Sequence, residues 1–237
     1  MKHLNFLFFI LFIANGLQAQ VVRLDFPYFA GKEYVCALIQ GDKNDTIQTG
    51  SLDDKGQAVL TVPKNYSTYR GMLIFRLLEG GGLDIILNDE KAFLIRCTEA
   101  QPNKNNIFFI GSPENNYINQ NSQRQDDLLN KWEVSQAVLA AYSPKDSLYV
   151  AFEREKNRLE TAYADLQTET AKSPLLAARI KEIHNFLQGF GSRMYPTEEE
   201  NRNDLLDFVT KRLDIKILYT SNLWDSTIRQ WTDILLS

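Results

Sequence analysis

Residues 107–116 read IFFIGSPENN, and the pattern of the whole chain changes within this stretch. Before it, short apolar runs alternate with turns rich in Gly, Asn and Asp, which is typical of β-strands joined by tight hairpins. After it, apolar residues recur every three or four positions, which indicates amphipathic helices. The sequence therefore predicts an α+β chain in which an antiparallel β-sandwich or open barrel is followed by an α-helical bundle.

The region before residue 112 contains eight strand candidates. In the first, Val22, Leu24 and Phe26 alternate with polar residues, as expected for a half-buried strand. A further strand follows Gly80-Gly81-Gly82, so this glycine run predicts a hairpin turn rather than a phosphate-binding loop. Including this strand at 83–87, the seven candidates after the first are residues 34–39, 46–51, 58–62, 71–78, 83–87, 92–97 and 107–110.

The region after residue 112 carries repeated helix-start signals. Ser112-Pro113, Ser143-Pro144 and Ser173-Pro174 each place an N-cap hydroxyl before a proline at the first helical position. Each of these pairs predicts the start of a helix. Two more starts are expected, at a capping box formed by Thr197 and Glu200 and at Ser221.

The predicted helices are amphipathic and should pack on one another. The second helix, for example, places Leu148, Phe152, Leu159, Tyr163 and Leu166 on one face. The last helix presents an apolar stripe that we expect to dock either on the bundle or on something that follows it. This candidate docking surface consists of Trp224, Ile228, Trp231 and Leu235.

The first residues of the chain have the features of a signal peptide. A basic start at Lys2 precedes the apolar run 6–13, and Ala19 provides a small residue at the expected cleavage site. The run is too short to cross a bilayer, so we expect no transmembrane helix after cleavage. The sequence therefore predicts a periplasmic or otherwise exported protein, with a signal peptide at 1–19, a β-rich domain at 20–112 and an α-helical domain at 113–237.

The composition excludes several classes of function. The chain has 26 Lys and Arg against 30 Asp and Glu, whereas a nucleic-acid-binding protein normally has a basic excess. Its two His and two Cys are too few for a zinc module, so we expect no metal and no cofactor. His184 is the one histidine outside the signal peptide and lies beside no nucleophile motif. We therefore predict no catalytic residue and do not expect an enzyme.

The two cysteines leave two alternatives open. Cys36 and Cys97 lie in separate strand candidates and do not form a C-x-x-C motif. Because disulfides form in exported proteins, neighbouring strands could bring these residues together as a bridge. Buried free thiols fit the same positions equally well.

Several short motifs, taken in their order along the chain, resemble a known group of proteins. The motifs are Phe29-Ala30-Gly31-Lys32, Gly81-Gly82-Leu83-Asp84 and the stretch from Ile110 to Asn115. This order is similar to the N-terminal region of bacterial envelope thioredoxin-like thiol-disulfide oxidoreductases, which are related to alkyl hydroperoxide reductase and thiol-specific antioxidant proteins. In that family, a small β domain of unknown function and a helical segment precede the redox domain.

The resemblance implies a role without catalysis for this chain. Residues 213–216 and 220–223 look like the family's segment just before the redox domain, but the redox C-x-x-C motif is missing here. The implied function is an accessory or interaction module whose partner is another protein or a missing C-terminal domain. The alternatives are an enzyme with an unrecognised site or a freestanding periplasmic binding protein for a peptide or glycan, which Tyr28, Tyr66 and Tyr69 could serve.

Overall fold

The computed structural model describes residues 20–194 and 197–236, with side chains described as far as Asp233. The predicted signal peptide, its cleavage site after Ala19 and the side chain of Leu235 lie outside these described residues. Within them the chain is α+β, as predicted, with strands in the first part and helices in the second.

The strands form two four-stranded sheets that pack face to face and do not close into a barrel. Sheet A has the order β4-β1-β7-β8 and sheet B the order β3-β2-β5-β6. All eight predicted strands are confirmed, with shifts at several ends. They are β1 (Val21–Asp25), β2 (Glu33–Gln40), β3 (Lys43–Ser51), β4 (Gln57–Thr61), β5 (Gly71–Leu77), β6 (Gly82–Leu87), β7 (Ala92–Cys97) and β8 (Ile107–Ile110).

One strand pair corrects the expectation of an entirely antiparallel sandwich. β1 and β7 run parallel, with Val22 opposite Phe93 and Leu24 opposite Ile95. Alternation of apolar and polar residues predicts which face of a strand is buried, but it carries no information on strand direction. The parallel pair therefore had no local signal in the sequence.

The first hydrophobic core lies between the two sheets. It is built from the inward-facing residues of strands in both sheets, of which Val22, Cys36, Leu38, Leu73 and Ile95 are completely buried. Burial of such side chains provides about 1.5–3 kcal/mol each before entropy losses are counted. This core accounts for the stability of the sandwich.

Six α-helices follow among the described residues. Three predicted starts are displaced by a few residues: α2, α3 and α6 begin at Ser147, Leu176 and Trp224 rather than directly after Ser143, Ser173 and Ser221. Ser143 accepts a bond from the Lys145 amide in a turn before α2, and the amide of Ala177 near the start of α3 donates to the Glu114 carboxylate at 2.7 Å. The helices are α1 (Pro113–Ala141), α2 (Ser147–Lys172), α3 (Leu176–Leu187), α4 (Glu198–Asp207), α5 (Ile215–Tyr219) and α6 (Trp224–Leu236), with a π-helical turn at Phe208–Arg212.

A second hydrophobic core joins the helical region to the outer face of sheet B. Ile39, Met72 and Ile86 point away from the sandwich interior and pack with the helices. The other residues of this core lie on α3, the π-helical turn, α5 and the turn just before α6: Leu176, Ala177, Ile180, Ile183, Phe186, Phe208, Leu218 and Leu223. The helices therefore pack against the sheet as well as against one another.

The start of α1 is attached to the edge of sheet B. The side-chain amide of Asn115 accepts a bond from the Ile86 N–H at 2.9 Å and donates to the Ile86 carbonyl at 2.8 Å. It thus pairs with edge strand β6 as another strand would. On sheet A, the Gln48 amide likewise donates to the Val59 carbonyl and accepts from the Thr61 N–H. Both contacts occupy edge groups that would otherwise be open to pairing with another chain.

Candidate functional site

The segment from Leu213 to Trp224, here called the anchored segment, is fixed on one end of sheet B. Asp214 caps α5 by accepting a hydrogen bond from the Lys216 N–H at 2.8 Å. Two backbone bonds then tie the segment to the sheet, one from the Gly41 N–H to the Tyr219 carbonyl at 2.6 Å and one from the Met72 N–H to the Thr220 carbonyl at 2.7 Å.

Glycines on the sheet side make this close approach feasible. A Cβ atom on Gly41 would lie 2.7 Å from the Tyr219 ring, and one on Gly71 would lie 2.3 Å from the Cβ of Thr220. Gly41 also adopts a positive φ of 65°, which favours glycine. A larger residue at either position would push the anchored segment away from the sheet.

The anchored segment buries one side and exposes the other. Leu218 is completely buried in the second core, whereas Ile215 is 50% exposed and Tyr219 is 42% exposed. Asn222 donates to the Asp84 carboxylate at 2.8 Å, and Trp224 packs edge-on against Tyr219 with 5.5 Å between ring centroids. The result is an apolar surface held on a fixed base.

Most of the predicted docking stripe faces the helical region. Trp231 is half-buried in a small space lined by α3, α4, the π-helical turn and α6. Its indole N–H finds no hydrogen-bond partner among the described residues. Trp224 packs at the edge of the second core, and Ile228 is half-buried. The exposed apolar residues nearby belong instead to α5, which the sequence did not single out.

The two cysteines are free and buried in the structure, so the disulfide alternative is not realised in it. Cys36 lies in sheet B and Cys97 in sheet A. Burial raises the pKa of the Cys36 thiol to about 12. The Cys97 thiol donates to the Glu99 carbonyl at 3.3 Å.

His184 lies half-buried on α3. Its Nε2 is 3.1 Å from the Gln188 side-chain nitrogen, while its Nδ1 has no partner among the described residues. Burial lowers the pKa of His184, and the nearby charge of Lys181 lowers it further, against a smaller opposing effect of Asp126. These surroundings favour a neutral imidazole that packs within the helices.

The tyrosines considered for ligand binding have different surroundings. Tyr69 is buried, and its single hydroxyl hydrogen is shared between the carbonyls of Ile39 and Met72, at 2.9 and 2.8 Å. The Tyr66 hydroxyl donates to the Asp45 carboxylate at 2.8 Å, which raises the pKa of Tyr66. Tyr28 alone of the three is freely exposed, at 61%.

A polar cluster inside the helices was missed by the sequence reasoning. Gln125 on α1 donates to Asn185 on α3 at 2.9 Å, Asn185 donates to Gln167 on α2 at 2.7 Å, and Gln167 donates back to Gln125 at 3.2 Å. All three side chains are buried. Their positions along the helices could have indicated burial. Gln125 lies three residues before Leu128 and Gln167 lies beside Leu166, and both leucines belong to helix faces that were expected to pack.

None of the described helices is long and apolar enough to cross a membrane. Within residues 20–194 and 197–236, no group of three or more His, Cys, Asp or Glu side chains is placed to hold a metal ion. Comparisons with protein-family models, curated proteins and solved structures found no match to this chain.

Proposed function

We propose that this chain is a noncatalytic accessory or interaction module of an exported thioredoxin-like protein, related to thiol-disulfide oxidoreductases. The module binds a thioredoxin-fold domain through the exposed side of the anchored segment. That domain belongs either to a separate protein or to a continuation of this chain.

The observation that carries the proposal is the combination of fixed backbone and exposed apolar side chains in the anchored segment. Its carbonyls at Tyr219 and Thr220 are bonded to sheet B, while Ile215 and the Tyr219 ring remain accessible. A surface that is already ordered loses little conformational entropy when a partner binds. Exposed aromatic residues are also enriched at protein interfaces.

The sequence supports the thioredoxin-like context of this surface. Residues 213–216 and 220–223, which resemble the family's segment just before the redox domain, lie within the anchored segment. In this chain α6 (Trp224–Leu236) follows the anchored segment and packs on the helices. A redox domain that continued the chain would therefore begin beyond α6 and fold back onto the anchored segment.

The state of the thiols supports a role without catalysis. Redox and nucleophilic cysteines react as thiolates, which require a lowered pKa and access to solvent. Cys36 has the opposite properties, because it is completely buried and its pKa is raised to about 12. Cys97 is buried as well.

Site-specific photo-crosslinking in the envelope of the source organism tests the proposal. Tyr219 is replaced by p-benzoylphenylalanine, which keeps an aromatic ring at the proposed surface. Tyr142 receives the same replacement as a matched control, because it is also a tyrosine, is 44% exposed and lies at the far end of α1. We expect crosslinked peptides from a thioredoxin fold at position 219 and a several-fold weaker yield at position 142.

Equal yields at the two positions, or no thioredoxin-fold peptides at position 219, would contradict the proposal.

If the crosslinks form, the intact mass of the native product distinguishes the two sources of the domain. Cleavage of 19 residues from the 27.3 kDa chain gives about 25 kDa, which corresponds to a separate partner protein. A larger mass corresponds to a continuation of this chain.

A further inference from the structure

The core between the two sheets is incomplete at one end, where it leaves a partly open cavity of about 150 Å³. This end lies opposite the anchored segment. In the antiparallel pairing of β2 with β5, Tyr34 faces Leu77 and Leu38 faces Leu73, so Gly41 and the β5–β6 hairpin are at opposite ends of sheet B. About eight strand residues, or roughly 25 Å, separate Gly41 from the β5–β6 hairpin.

The cavity walls are almost entirely apolar. The side chains come from both sheets and from the loops at this end: Phe26, Phe29, Phe75, Leu77, Leu83, Cys97, Pro102 and Ile107. None of these residues carries a charge, and the Cys97 thiol already donates to the Glu99 carbonyl. A charged or sugar ligand would lose its hydration here without gaining hydrogen bonds in return.

The glycine hairpin forms one wall of the cavity with backbone alone. Gly80, Gly81 and Gly82 form one wall and contribute no side chains. Gly80 and Gly81 have positive φ values of 105° and 85°, and a Cβ on either would meet no atom within 4 Å. Leu77 and Leu83, on either side of the hairpin, are left half-buried.

The volume sets the size of the missing group. In another protein, an engineered cavity of about 150 Å³ lined by Leu, Ile and Phe stays dry and binds benzene. The present cavity has the same volume and a comparable lining. It therefore has room for about six or seven non-hydrogen atoms.

We infer that this cavity is a binding site for an uncharged, phenyl-sized apolar group, and that the glycine hairpin forms its entrance. The group is either a free small molecule or the side chain of a peptide. The inference does not rest on the proposed function, because the cavity and the anchored segment share no residue.

Exposed apolar residues beside the entrance extend the site. Tyr28 adjoins the lining residue Phe29 and is 61% exposed, and Leu78 adjoins Leu77 and is 63% exposed. An ion pair between Lys32 and Glu79 connects the two sides of this rim. A ligand larger than the cavity could therefore place its apolar group inside and rest the remainder on Tyr28 and Leu78.

The test is a titration of the full mature chain with toluene. Two readouts monitor binding: the methyl NMR signals of Ile107 and Leu83, and the midpoint of thermal unfolding. We expect both methyl signals to shift. At a toluene concentration five times the dissociation constant, the unfolding midpoint should rise by about 2–4 °C. Benzoate, which has the same ring with a charge, should leave both readouts unchanged.

Two variants on β8 make the test specific. Ile107→Phe adds a ring that fills the cavity and should abolish the toluene response, while Ile110→Phe, on the exposed face of the same strand, should retain it. If Ile107→Phe does not fold, Leu83→Phe places a ring in the same space from the opposite sheet, and the Ile107 methyl signal then reports on toluene. In each variant the midpoint without toluene shows whether the fold is intact.

The outcomes separate the two sources of the ligand and can overturn the inference. Binding of toluene alone supports a free small molecule, whereas binding of both toluene and N-acetylphenylalanine amide supports a peptide side chain. Unchanged Ile107 and Leu83 signals in the presence of toluene overturn the inference. An equal toluene response in folded Ile107→Phe also overturns it. Neither result would affect crosslinking at Tyr219.

Discussion

The two interiors of this protein are built differently. The core between the sheets consists of apolar side chains, with Leu73, Phe75 and Ile85 almost completely removed from solvent. The interior shared by α1, α2 and α3 instead contains the ring of Gln125, Gln167 and Asn185 amides. Alternation in a strand identifies an apolar core directly, whereas buried amides on helices look like ordinary surface residues.

The two interiors also differ in how strongly their stability depends on the exact distances and directions between side chains. Apolar contacts are non-directional, so the effect of a substitution in the sandwich depends on the volume and the area that it removes. Each amide in the ring needs a partner at the right distance, because an unsatisfied buried polar group is unfavourable. We therefore expect the two interiors to respond differently to substitution.

The largest effect is expected in the sandwich core. Leu73→Ala removes a completely buried side chain and leaves a cavity, which should lower the free energy of unfolding by about 2–5 kcal/mol. Leu78→Ala is the matched control on the exposed residue next to β5 and should change it by less than about 0.5 kcal/mol. Urea unfolding measures both, and similar values for the two variants would contradict the assigned core.

A smaller effect is expected in the amide ring. Asn185→Ala leaves one donor of Gln125 and one acceptor of Gln167 without partners, which should lower the free energy of unfolding by about 2 kcal/mol. Replacing all three with apolar residues of similar size should be less destabilising than the single change, because no unpaired group remains. A triple variant with a lower free energy of unfolding than Asn185→Ala would contradict this expectation and show that the amide ring itself stabilises the fold.

Substitution of Trp231 tests how α6 packs on the helices. Trp231→Asp places a carboxylate against Ile183, Phe186 and Phe208 and should lower the free energy of unfolding by about 1 kcal/mol or more. Trp231→Phe should have little effect, since the indole N–H has no partner among the described residues. An unchanged melting curve for Trp231→Asp would count against this packing.

The smallest effect is a dependence on pH. Because the pKa of His184 is lowered in the folded protein, the unfolded state binds more protons in the range where histidine titrates. Stability should therefore fall as the pH decreases through about 6.5, the usual histidine value. Urea midpoints at several pH values measure this slope, and His184→Gln should flatten it. An identical slope in the variant would assign the effect to other groups.

The strands were predictable because their signals are local. The bounds of β7 and β8 agree with the sequence prediction, whereas β3 begins at Lys43 because Gly41 and Asp42 alone complete the hairpin. The predicted helix start at Ser173 was displaced because a distant carboxylate, that of Glu114, lies at the start of α3.

The candidate site could not be predicted in the same way. It depends on bonds from Gly41 and Met72 to carbonyls on Tyr219 and Thr220, which are well over a hundred residues away in sequence. No local pattern encodes such a contact. The glycines at 41 and 71 were visible, but their role became clear only when the anchored segment was found against them.

Amide hydrogen exchange at Gly41 and Met72 tests the central claim most directly, because these N–H groups donate to the anchored segment. We expect protection factors at both amides within about tenfold of that at Leu73, an interior residue of the same sheet. The reason is that all three amides exchange through the same cooperative unfolding event. Exchange as fast as that of Asp42, in the exposed hairpin beside Gly41, would show that the segment is not held on the sheet and would contradict the account.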